Sequence, residues 1–503
     1  MNDKRPSLTH RAISGMVWVA WSSGATAVLR VVVLILLTRL LSPADFGVVS
    51  AALIVVGFSL IFSQLGLAPA LVQRPQLEPR HISTAFVAST GFGLLVAGLA
   101  WFGAPLLASF FRMAPLAPVI RVLALMFPIA GISTVAENLV QRDLRFRLLA
   151  NSEVLAYGLG YGVVGVFLAL LGWGVWALVI AQLTQALLRA AILLRAAPPR
   201  LRPLPTWQSF AELMEFGAGQ SAGRIGVFLA NQADNLVVGR WLGAVALGLY
   251  SRAYQLMAVP TALLGDVLDK VLFPTMARVQ DDSRRLSSAY LQGSALLALV
   301  TLPAGVVAAI LAPDLVRVAF GSKWEALVPP FQVLALGMMF RTSYRLSDSL
   351  SRATGKVYRR AWRQGLYAAL VFLGAWAGRQ WGVTGVAFGV LGALFINYLL
   401  MAQLGLSVAR ISWLEFIRVQ LPALSLTIVV GVVALAVTAA SRSLGLPPLA
   451  GLAIGSAAAV GTGLLAAWLA PALTLGEHGI RIRQTLWTHL LTRLRPVRLG
   501  RSA

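Results

Sequence analysis

Long apolar segments separated by short polar connections run along almost the whole chain. Many of them reach about 18 residues or more, the length that a helix needs to cross a lipid bilayer. The pattern predicts an all-α integral membrane protein with about 14 transmembrane helices. The predicted spans are 14–41, 46–70, 83–110, 117–139, 153–172, 174–197, 211–239, 247–274, 286–312, 327–351, 361–378, 383–406, 420–440 and 448–472.

Lysine and arginine are distributed unevenly between alternate connections. Of the 42 in the chain, 28 fall in the termini and in the connections on the same side as the termini, and seven fall in the opposite connections. Basic residues that flank transmembrane helices accumulate on the cytoplasmic side. Because the number of predicted spans is even, we expect both termini to be cytoplasmic.

The composition excludes a soluble protein. The mean hydropathy is +0.79, and only 12% of the residues are charged. The net charge of +24 resides in short clusters between apolar segments, so nucleic acid is not an expected partner. The absence of cysteine excludes disulfides and thiolate metal sites. The first span is too long for a cleavable signal peptide, so we expect it to remain as a helix.

A row of polar residues follows one face of the seventh span. Gln220, Arg224, Asn231 and Asn235 are spaced by 4, 7 and 4 residues, with Asp234 beside them. After a turn around Gly243, the next helix opens with Tyr250, Ser251, Arg252, Tyr254 and Gln255. Charged groups at this depth cost about 2.5 to 3.5 kcal/mol each unless they face a partner or water. The row therefore lines a polar cavity or forms hydrogen bonds between helices, and the combination of Arg with Asp favours the cavity.

Two segments of the chain match at a constant offset of 201 residues. The identical pairs are Arg39 and Arg240, Leu41 and Leu242, Gly47 and Gly248, Ser50 and Ser251, and Ala52 and Ala253. The repeat predicts two parallel six-span lobes related by an axis along the membrane normal. The same offset pairs Arg30 with Asn231 and Ser23 with Arg224, and Ser23, Thr26 and Arg30 share a face. We expect both polar rows to face one central cleft.

These features divide the chain into five parts. We expect an N-terminal lobe at 1–197, a cytoplasmic linker at 198–210, a C-terminal lobe at 211–406, two additional helices at 407–472 and a basic tail at 473–503. The tail alternates basic and apolar residues. It is interpreted either as an amphipathic helix on an anionic inner leaflet or as an ordinary cytoplasmic tail.

Other charged groups occur at helical spacing. In the tenth span, Arg341, Arg345 and Asp348 share one face, where Arg345 and Asp348 form either an ion pair or part of a site. The run QRDLRFR at 141–147 is expected at the cytoplasmic interface, with its arginines extended towards water or in contact with a ligand.

The deep arginines outnumber Asp234, the one deep acid assigned near them, which predicts a cationic cavity. Guanidinium groups suit phosphate or carboxylate oxygens, and the neutral donors and aromatic rings suit sugars. The sequence therefore predicts a transporter for an anionic, hydroxyl-rich substrate. The candidate substrate-binding residues are Arg30, Arg224, Arg252, Asn231, Gln232, Asn235, Tyr250, Tyr254, Ser23, Thr26, Arg341 and Arg345.

Four segments carry a resemblance to a known family: LLTRLLSPADFG (36–47), LVQRDLRFR (139–147), NQADNLVVGRWLGAVALGLYSRAYQLMAVP (231–260) and FPTMARVQDD (273–282). Together they resemble the Wzx-type polysaccharide exporters, flippases of the multidrug/oligosaccharidyl-lipid/polysaccharide exporter superfamily, over about residues 10 to 410. The resemblance implies a V of two lobes and alternating access in a bacterial inner membrane. It implies that a polyprenyl-diphosphate-linked oligosaccharide crosses to the outer leaflet, its diphosphate held by Arg30, Arg224 and Arg252. Related lipid II flippases have an arginine in helix two, which span two here lacks.

Further expectations concern coupling and partners. Asp234 and Asp348 are candidates for coupling transport to a proton or sodium ion; alternatively, Asp234 pairs permanently with an arginine. No metal site or organic cofactor is expected, and no enzymatic activity. The expected partners are the lipid-linked glycan, membrane lipids, a polysaccharide polymerase and a chain-length regulator.

Three other functions fit parts of the pattern. A drug or cation antiporter of the same superfamily would share the fold, but acids rather than arginines would line its cavity. A membrane polysaccharide polymerase or ligase would share the substrate, but such enzymes usually have a large outer loop, and the longest outer connection here has about fourteen residues. A membrane scaffold would have no use for deep arginines.

Overall fold

The computed structural model of the protein describes residues 27–64, 70–72, 74, 76–199, 202, 204–476 and 480, with side chains except at 63–64, 215–224, 262–274 and 357. Throughout this part of the chain the regular structure is helical, and no strand is assigned. The predicted all-α membrane class is confirmed. The predicted tail at 473–503 lies almost entirely outside the described residues.

The described residues form two compact units. The first extends to Ser251 and includes Ala319–Trp324, and the second comprises Arg252–Val318 and the chain from Glu325 onwards. These units are defined by contacts, whereas the lobes at 1–197 and 211–406 are defined by span order and repeat. The division into lobes stays a prediction.

Seven helices and the beginning of a long helical segment form the first unit. They are α1 (27–40), α2 (Pro43–Gln64), α3 (Pro79–Phe111), α4 (Leu116–Leu123), α5 (Met126–Arg142), α6 (Phe146–Leu170) and α7 (Val175–Ala196). The helical segment Trp207–Arg278 follows, and Gly243 divides it into α8 and α9. Within α6, the stretch Gly158–Gly165 is a π-helix, a wider turn that occurs frequently near functional sites.

The second unit contains the remainder of α9 and nine further helices. They are α10 (Ser283–Ile310), α11 (Ala312–Ala319, whose last residue is assigned to the first unit), α12 (Val328–Leu336), α13 (Met338–Ala353), α14 (Val357–Gly378), α15 (Gly382–Ala409), α16 (Trp413–Ser443), α17 (Pro448–Leu469) and α18 (Pro471–Thr474). Nine stretches of the described residues are long and apolar enough to cross a membrane. The total of 14 spans stays a prediction.

The turn predicted around Gly243 is confirmed. Gly243 has φ 86° and ψ −175°, a backbone conformation that only glycine adopts without strain. Across this turn the Tyr250 hydroxyl donates a hydrogen bond of 2.7 Å to Asp234 Oδ2. The turn and this buried bond together fix the geometry of the α8–α9 hairpin.

The two matched segments of the repeat contact each other reciprocally. A Cβ placed on Gly47 would lie 1.7 Å from the Ala244 carbonyl oxygen, and one placed on Gly248 would lie 1.8 Å from the Pro43 carbonyl oxygen. Each contact becomes the other when 201 is added to or subtracted from its residue numbers. Both glycines are therefore needed for the close approach of the α2 and α9 backbones.

The Ala319–Trp324 segment belongs to the first unit although it follows α10 in sequence. Trp324 is fully buried there. Its indole Nε1 donates a hydrogen bond of 2.8 Å to the Thr38 carbonyl oxygen, and its ring packs edge to face on Phe46 at a centroid distance of 5.4 Å. This contact joins α1 and α2 to a distant part of the chain.

The two additional helices pack on the second unit. Leu426, Val430 and Ala434 of α16 form a cluster with Ala459 of α17 and with partly buried residues of α10, among them Leu299 and Val307. The helices predicted at 420–440 and 448–472 are thus confirmed. Their apolar packing against α10 gives them a structural role in this unit.

Candidate functional site

Four charged side chains form a continuous chain inside the first unit. Arg30 Nη2 lies 2.8 Å from Glu153 Oε1, and Glu153 Oε2 lies 3.4 Å from Arg189 Nε. Arg189 Nη2 lies 2.7 Å from Glu137 Oε1. These four residues, termed here the Arg30 network, comprise two arginines and two glutamates, so their formal charges cancel.

Two tyrosines extend the Arg30 network along α6. The Arg30 guanidinium lies 5.5 Å from the centroid of the Tyr157 ring, a distance at which a cation and an aromatic face attract each other. Tyr157 stacks on Tyr161 at 5.1 Å, and the Tyr161 hydroxyl donates to Gln182 Oε1 at 2.5 Å. The exposed part of the Arg30 side chain, 52% of its surface, thus lies beside an aromatic surface.

The predicted polar row on α8 is not uniformly accessible. Asn231 is exposed and donates to the Val227 carbonyl oxygen, whereas Asn235 is buried and donates to Gln232 Oε1. Asp234 is 1% exposed; it accepts hydrogen bonds from the Tyr250 hydroxyl and from the Asn235 backbone amide. Asp234 and Tyr250 are therefore hydrogen-bonded to each other in the interior of the first unit.

In the second unit, the structure brings two predicted residues together. Arg341 of α13 donates a short hydrogen bond to the Tyr254 hydroxyl, and its guanidinium lies 4.8 Å from the centroid of that ring. Arg252, two residues before Tyr254, donates to Gln255 Oε1 at 2.6 Å. These contacts fix a cationic and aromatic cluster on α9 and α13.

Asp348, a predicted ion-coupling residue, lies in an ion-pair network. Its carboxylate contacts Arg352 Nε at 3.2 Å, one helical turn away, and forms a closer contact with Arg360 of α14. The Asp348 side chain is 13% exposed. Two guanidinium groups therefore pair with this carboxylate, and its predicted role in coupling stays a prediction.

Some predicted site residues fall where the structure describes no side chain. Ser23 and Thr26 lie outside the described residues. For Gln220 and Arg224 the structure describes the helical backbone of α8 but not the side chains. The predicted contribution of Arg224 to anion binding therefore stays a prediction.

Two arginines of the run QRDLRFR, Arg142 and Arg145, make structural contacts. Arg142 Nη1 donates to the carbonyl oxygens of Leu71 at 2.6 Å and Arg74 at 2.7 Å. Arg145 Nη1 donates to the carbonyl oxygen of Ala196 at 2.9 Å, at the end of α7. Both arginines thus satisfy carbonyl groups that helix ends and loops leave without partners.

The two acids of the Arg30 network, Glu137 and Glu153, are not among the candidate site residues predicted from the sequence. It assigned Asp234 as the one deep acid, but Glu153 is the residue that pairs with Arg30. A signal was available in the sequence, since the chain has only 18 Asp and Glu residues and Glu137 and Glu153 are among the eight that fall inside predicted spans. An acid within a transmembrane segment is itself a functional hypothesis.

Comparison with known proteins assigns the chain to a family. The family described as "Polysaccharide biosynthesis protein" matches residues 36–329, more than half of the chain. This segment includes α2 to α11 and therefore most of the Arg30 network and the Arg252–Tyr254 part of the second cluster.

Individual proteins agree with this match. The teichuronic acid biosynthesis protein TuaB of Bacillus subtilis (strain 168) is 27% identical over 356 residues, 70% of this chain and 73% of that protein. The lipopolysaccharide biosynthesis protein WzxC of Escherichia coli (strain K12) is 25% identical over 402 residues, 78% of this chain and 80% of that protein.

A solved structure shows the same fold. The lipid II flippase MurJ in an inward closed conformation superposes with a TM-score of 0.73 and 13% identity, over 90% of this chain and 99% of that chain. The resemblance to polysaccharide exporters is confirmed. The chain is a multi-pass membrane protein and belongs to the polysaccharide biosynthesis protein family.

Proposed function

We propose that this protein is a flippase that moves a polyprenyl-diphosphate-linked oligosaccharide from the cytoplasmic to the outer leaflet, by alternating access, for the synthesis of a surface polysaccharide. The family match and two relatives named for teichuronic acid and lipopolysaccharide biosynthesis support this assignment. The role is transport, not catalysis.

The observation that carries the proposal is the position of Arg30. Its guanidinium belongs to an apolar helix, yet half of its side chain is exposed, and an aromatic ring lies beside it. An arginine in such a helix is costly and is retained where a substrate or ion needs it. The planar guanidinium offers several donors at once, a geometry that suits the oxygens of a diphosphate.

The second unit supplies similar chemistry. Arg252 and Arg341 carry the positive charge, and Tyr254 contributes a hydroxyl and an aromatic face beside Arg341. Guanidinium groups recognise phosphate, and aromatic faces and neutral donors recognise sugar rings. We propose that these residues contact the diphosphate or the first sugars during transport.

The proposal includes location and energy coupling. We place the protein in a bacterial inner membrane with both termini in the cytoplasm, following the distribution of its basic residues. A polysaccharide polymerase and a chain-length regulator are the proposed protein partners. Outward movement of a negatively charged headgroup is favoured by an inside-negative potential, by about 2.3 kcal/mol per charge per 100 mV. Coupling to a proton or sodium ion, through Asp234 or Asp348, adds to the free energy that the membrane potential supplies.

A transport assay tests the proposal. The purified protein is reconstituted in liposomes with a short-chain, fluorescent polyprenyl-diphosphate oligosaccharide, and the labelled headgroup exposed on each side is measured over time. Wild-type protein should accelerate transfer, and Arg30→Ala, Arg252→Ala and Arg341→Ala should each reduce the rate by about tenfold or more. Arg285→Ala, at an exposed position, is the control. Normal rates in all three variants would contradict the proposal.

Cell experiments separate this function from its alternatives. In a strain that lacks its own exporter, a flippase restores the outer-leaflet display of the lipid-linked unit before polymerisation. A polymerase would instead change polymer length while the display of single units stayed normal. A drug antiporter would change drug resistance and leave the polysaccharide unaltered.

A further inference from the structure

We propose that Glu153 acts as an internal counter-anion of Arg30, which the phosphate groups of the substrate displace, and that Arg189 receives the Glu153 carboxylate when this happens. The inference rests on the proposed function and deepens it. It assigns positioning roles to Glu153 and Arg189 in the binding of a diphosphate.

The geometry of Glu153 supports an exchange. Its two carboxylate oxygens are directed to different arginines, Oε1 to Arg30 Nη2 at 2.8 Å and Oε2 to Arg189 Nε at 3.4 Å. The first distance is that of a strong charge-assisted hydrogen bond, and the second is that of an ion pair without one. A small rotation of the Glu153 side chain therefore transfers the carboxylate from one guanidinium to the other.

Arg189 has an unused donor for this transfer. Its Nε is buried and has no hydrogen-bond acceptor among the described residues, while its Nη2 is occupied by Glu137. A buried donor without a hydrogen-bond partner destabilises the structure. Movement of Glu153 onto this Nε would remove that cost and offset part of the loss of the Arg30 contact.

A diphosphate and Glu153 would compete for the Arg30 guanidinium. The formal charges of the Arg30 network cancel. If the network did not rearrange, a diphosphate that approached Arg30 would meet the Glu153 carboxylate on the same guanidinium. The exposed fraction of the side chain is 52% for Arg30 and 27% for Glu153, so Arg30 is the more accessible of the two to a ligand. Transfer of Glu153 to Arg189 frees Arg30 for the phosphate and keeps two acids on one arginine.

The position of the Arg30 network along α6 and α7 affects how strongly its charges interact. Glu153 lies seven residues after the start of α6, and Arg189 lies seven residues before the end of α7. At about 1.5 Å per residue, both are roughly 10 Å from their helix ends. Water and ions screen charges between partly buried side chains less than charges between fully exposed ones.

A fixed structural ion pair is the competing interpretation. In that case Glu153 stabilises the fold and has no part in anion binding. Neutralisation of Glu153 would then lower the stability, and a diphosphate would bind no more tightly than before. An exchangeable counter-anion instead competes with the ligand, so its removal strengthens binding.

A binding experiment distinguishes the two interpretations. Full-length protein in lipid nanodiscs is titrated with undecaprenyl diphosphate, and the affinity is measured for wild type, Glu153→Gln, Arg189→Gln and the double variant. Glu325→Gln, whose side chain also pairs with an arginine but is 52% exposed, is the matched control. Glu153→Asp, which keeps the charge, is a second variant that is used if Glu153→Gln folds poorly.

We expect Glu153→Gln to bind the diphosphate about tenfold more tightly, Arg189→Gln to bind it about tenfold more weakly, and the control to be unchanged. The effect of Arg189→Gln should disappear in the double variant, because that variant has no Glu153 carboxylate that could move to residue 189. In Glu153→Asp the shorter side chain should contact Arg30 less well. This variant should therefore bind the diphosphate more tightly than wild type does. Equal or weaker binding by both folded Glu153 variants would overturn the inference.

The proposed function fails independently of this inference. If wild-type protein neither binds undecaprenyl diphosphate nor transfers the labelled lipid, the flippase assignment fails. If wild type binds and Arg30→Ala does not, while both Glu153 variants bind as wild type does, the flippase assignment stands and the counter-anion role fails.

Discussion

The hydroxyl groups of Ser50 and Ser251 lie 3.1 Å apart, and the two serines are separated by 201 residues, the offset of the internal repeat. Equivalent positions of the two matched segments therefore contact each other directly. Gly47 and Gly248, on either side of this hydrogen bond, make the reciprocal close contacts with Ala244 and Pro43. The contacts between the two matched segments are therefore reciprocal.

A cysteine pair at these positions tests the contact. Because the chain contains no cysteine, the double variant Ser50→Cys, Ser251→Cys has no other thiols. We expect a mild oxidant to form a disulfide in most of the folded protein, since the two γ atoms already lie within 3.1 Å. Intramolecular cross-linking is measured as a mobility shift on gels after proteolysis between the two sites.

The cross-link should also report on transport. If α2 and α9 separate during the cycle, the oxidised double variant loses lipid transfer and a reductant restores it. Each single cysteine variant should be insensitive to both treatments. Full transport by the completely cross-linked protein would exclude a separation of these helices from the cycle.

Tyr250→Phe is expected to destabilise the protein by about 1–3 kcal/mol, because it removes a hydrogen bond from the buried Asp234 carboxylate. The thermal unfolding midpoint in detergent measures this effect. Tyr358→Phe, at a residue that is 92% exposed, should leave the midpoint unchanged. An unaltered midpoint in Tyr250→Phe would show that Asp234 does not depend on this donor.

Arg142→Ala is expected to lower stability without changing the affinity for undecaprenyl diphosphate. The side chain holds the carbonyl groups of Leu71 and Arg74, and hydrogen bonds from charged groups contribute about 1.5–3 kcal/mol. Unfolding and ligand titration are measured on the same preparation. Arg142→Lys should recover part of the stability. A tenfold loss of affinity in stable Arg142→Ala protein would instead indicate a ligand contact.

Trp324→Ala is expected to destabilise the first unit by about 3–5 kcal/mol, the usual cost of deleting a buried large aromatic side chain. Trp324→Phe keeps most of the packing on Phe46 and loses the hydrogen bond to Thr38, so it should cost about 1–3 kcal/mol. Trp381→Ala, where the side chain is 73% exposed, is the control. Similar midpoints in all three variants would contradict this ranking.

The sequence predicted the features that depend on neighbouring residues or on the repeat. Gly243 is recognisable as a turn between two apolar helices, and the offset of 201 by itself pairs Ser50 with Ser251. Helical periodicity also locates the apolar helices. In each case a local pattern or an internal comparison contains the information.

Other features depend on packing between distant helices. The partner of Arg30 is Glu153, 123 residues away, and nothing in the spacing of either residue identifies the other. The polar row on α8 was predicted to share one face, but Asn231 is exposed and Asn235 is buried. A stripe of residues on a helix fixes only a direction, and neighbouring helices decide which part of the stripe is covered.

The Trp324 contact has a consequence for biosynthesis. The Trp324 indole donates a hydrogen bond to the carbonyl group of Thr38, a residue that is synthesised 286 residues earlier. At about 5–20 residues per second, this separation corresponds to roughly 14 to 57 seconds of translation. During that time α1 and α2 lack the side chain that contacts Thr38 and Phe46 in the folded protein. Until Trp324 is synthesised, the apolar surface that it covers in the folded protein, including the Phe46 ring, is therefore without this partner.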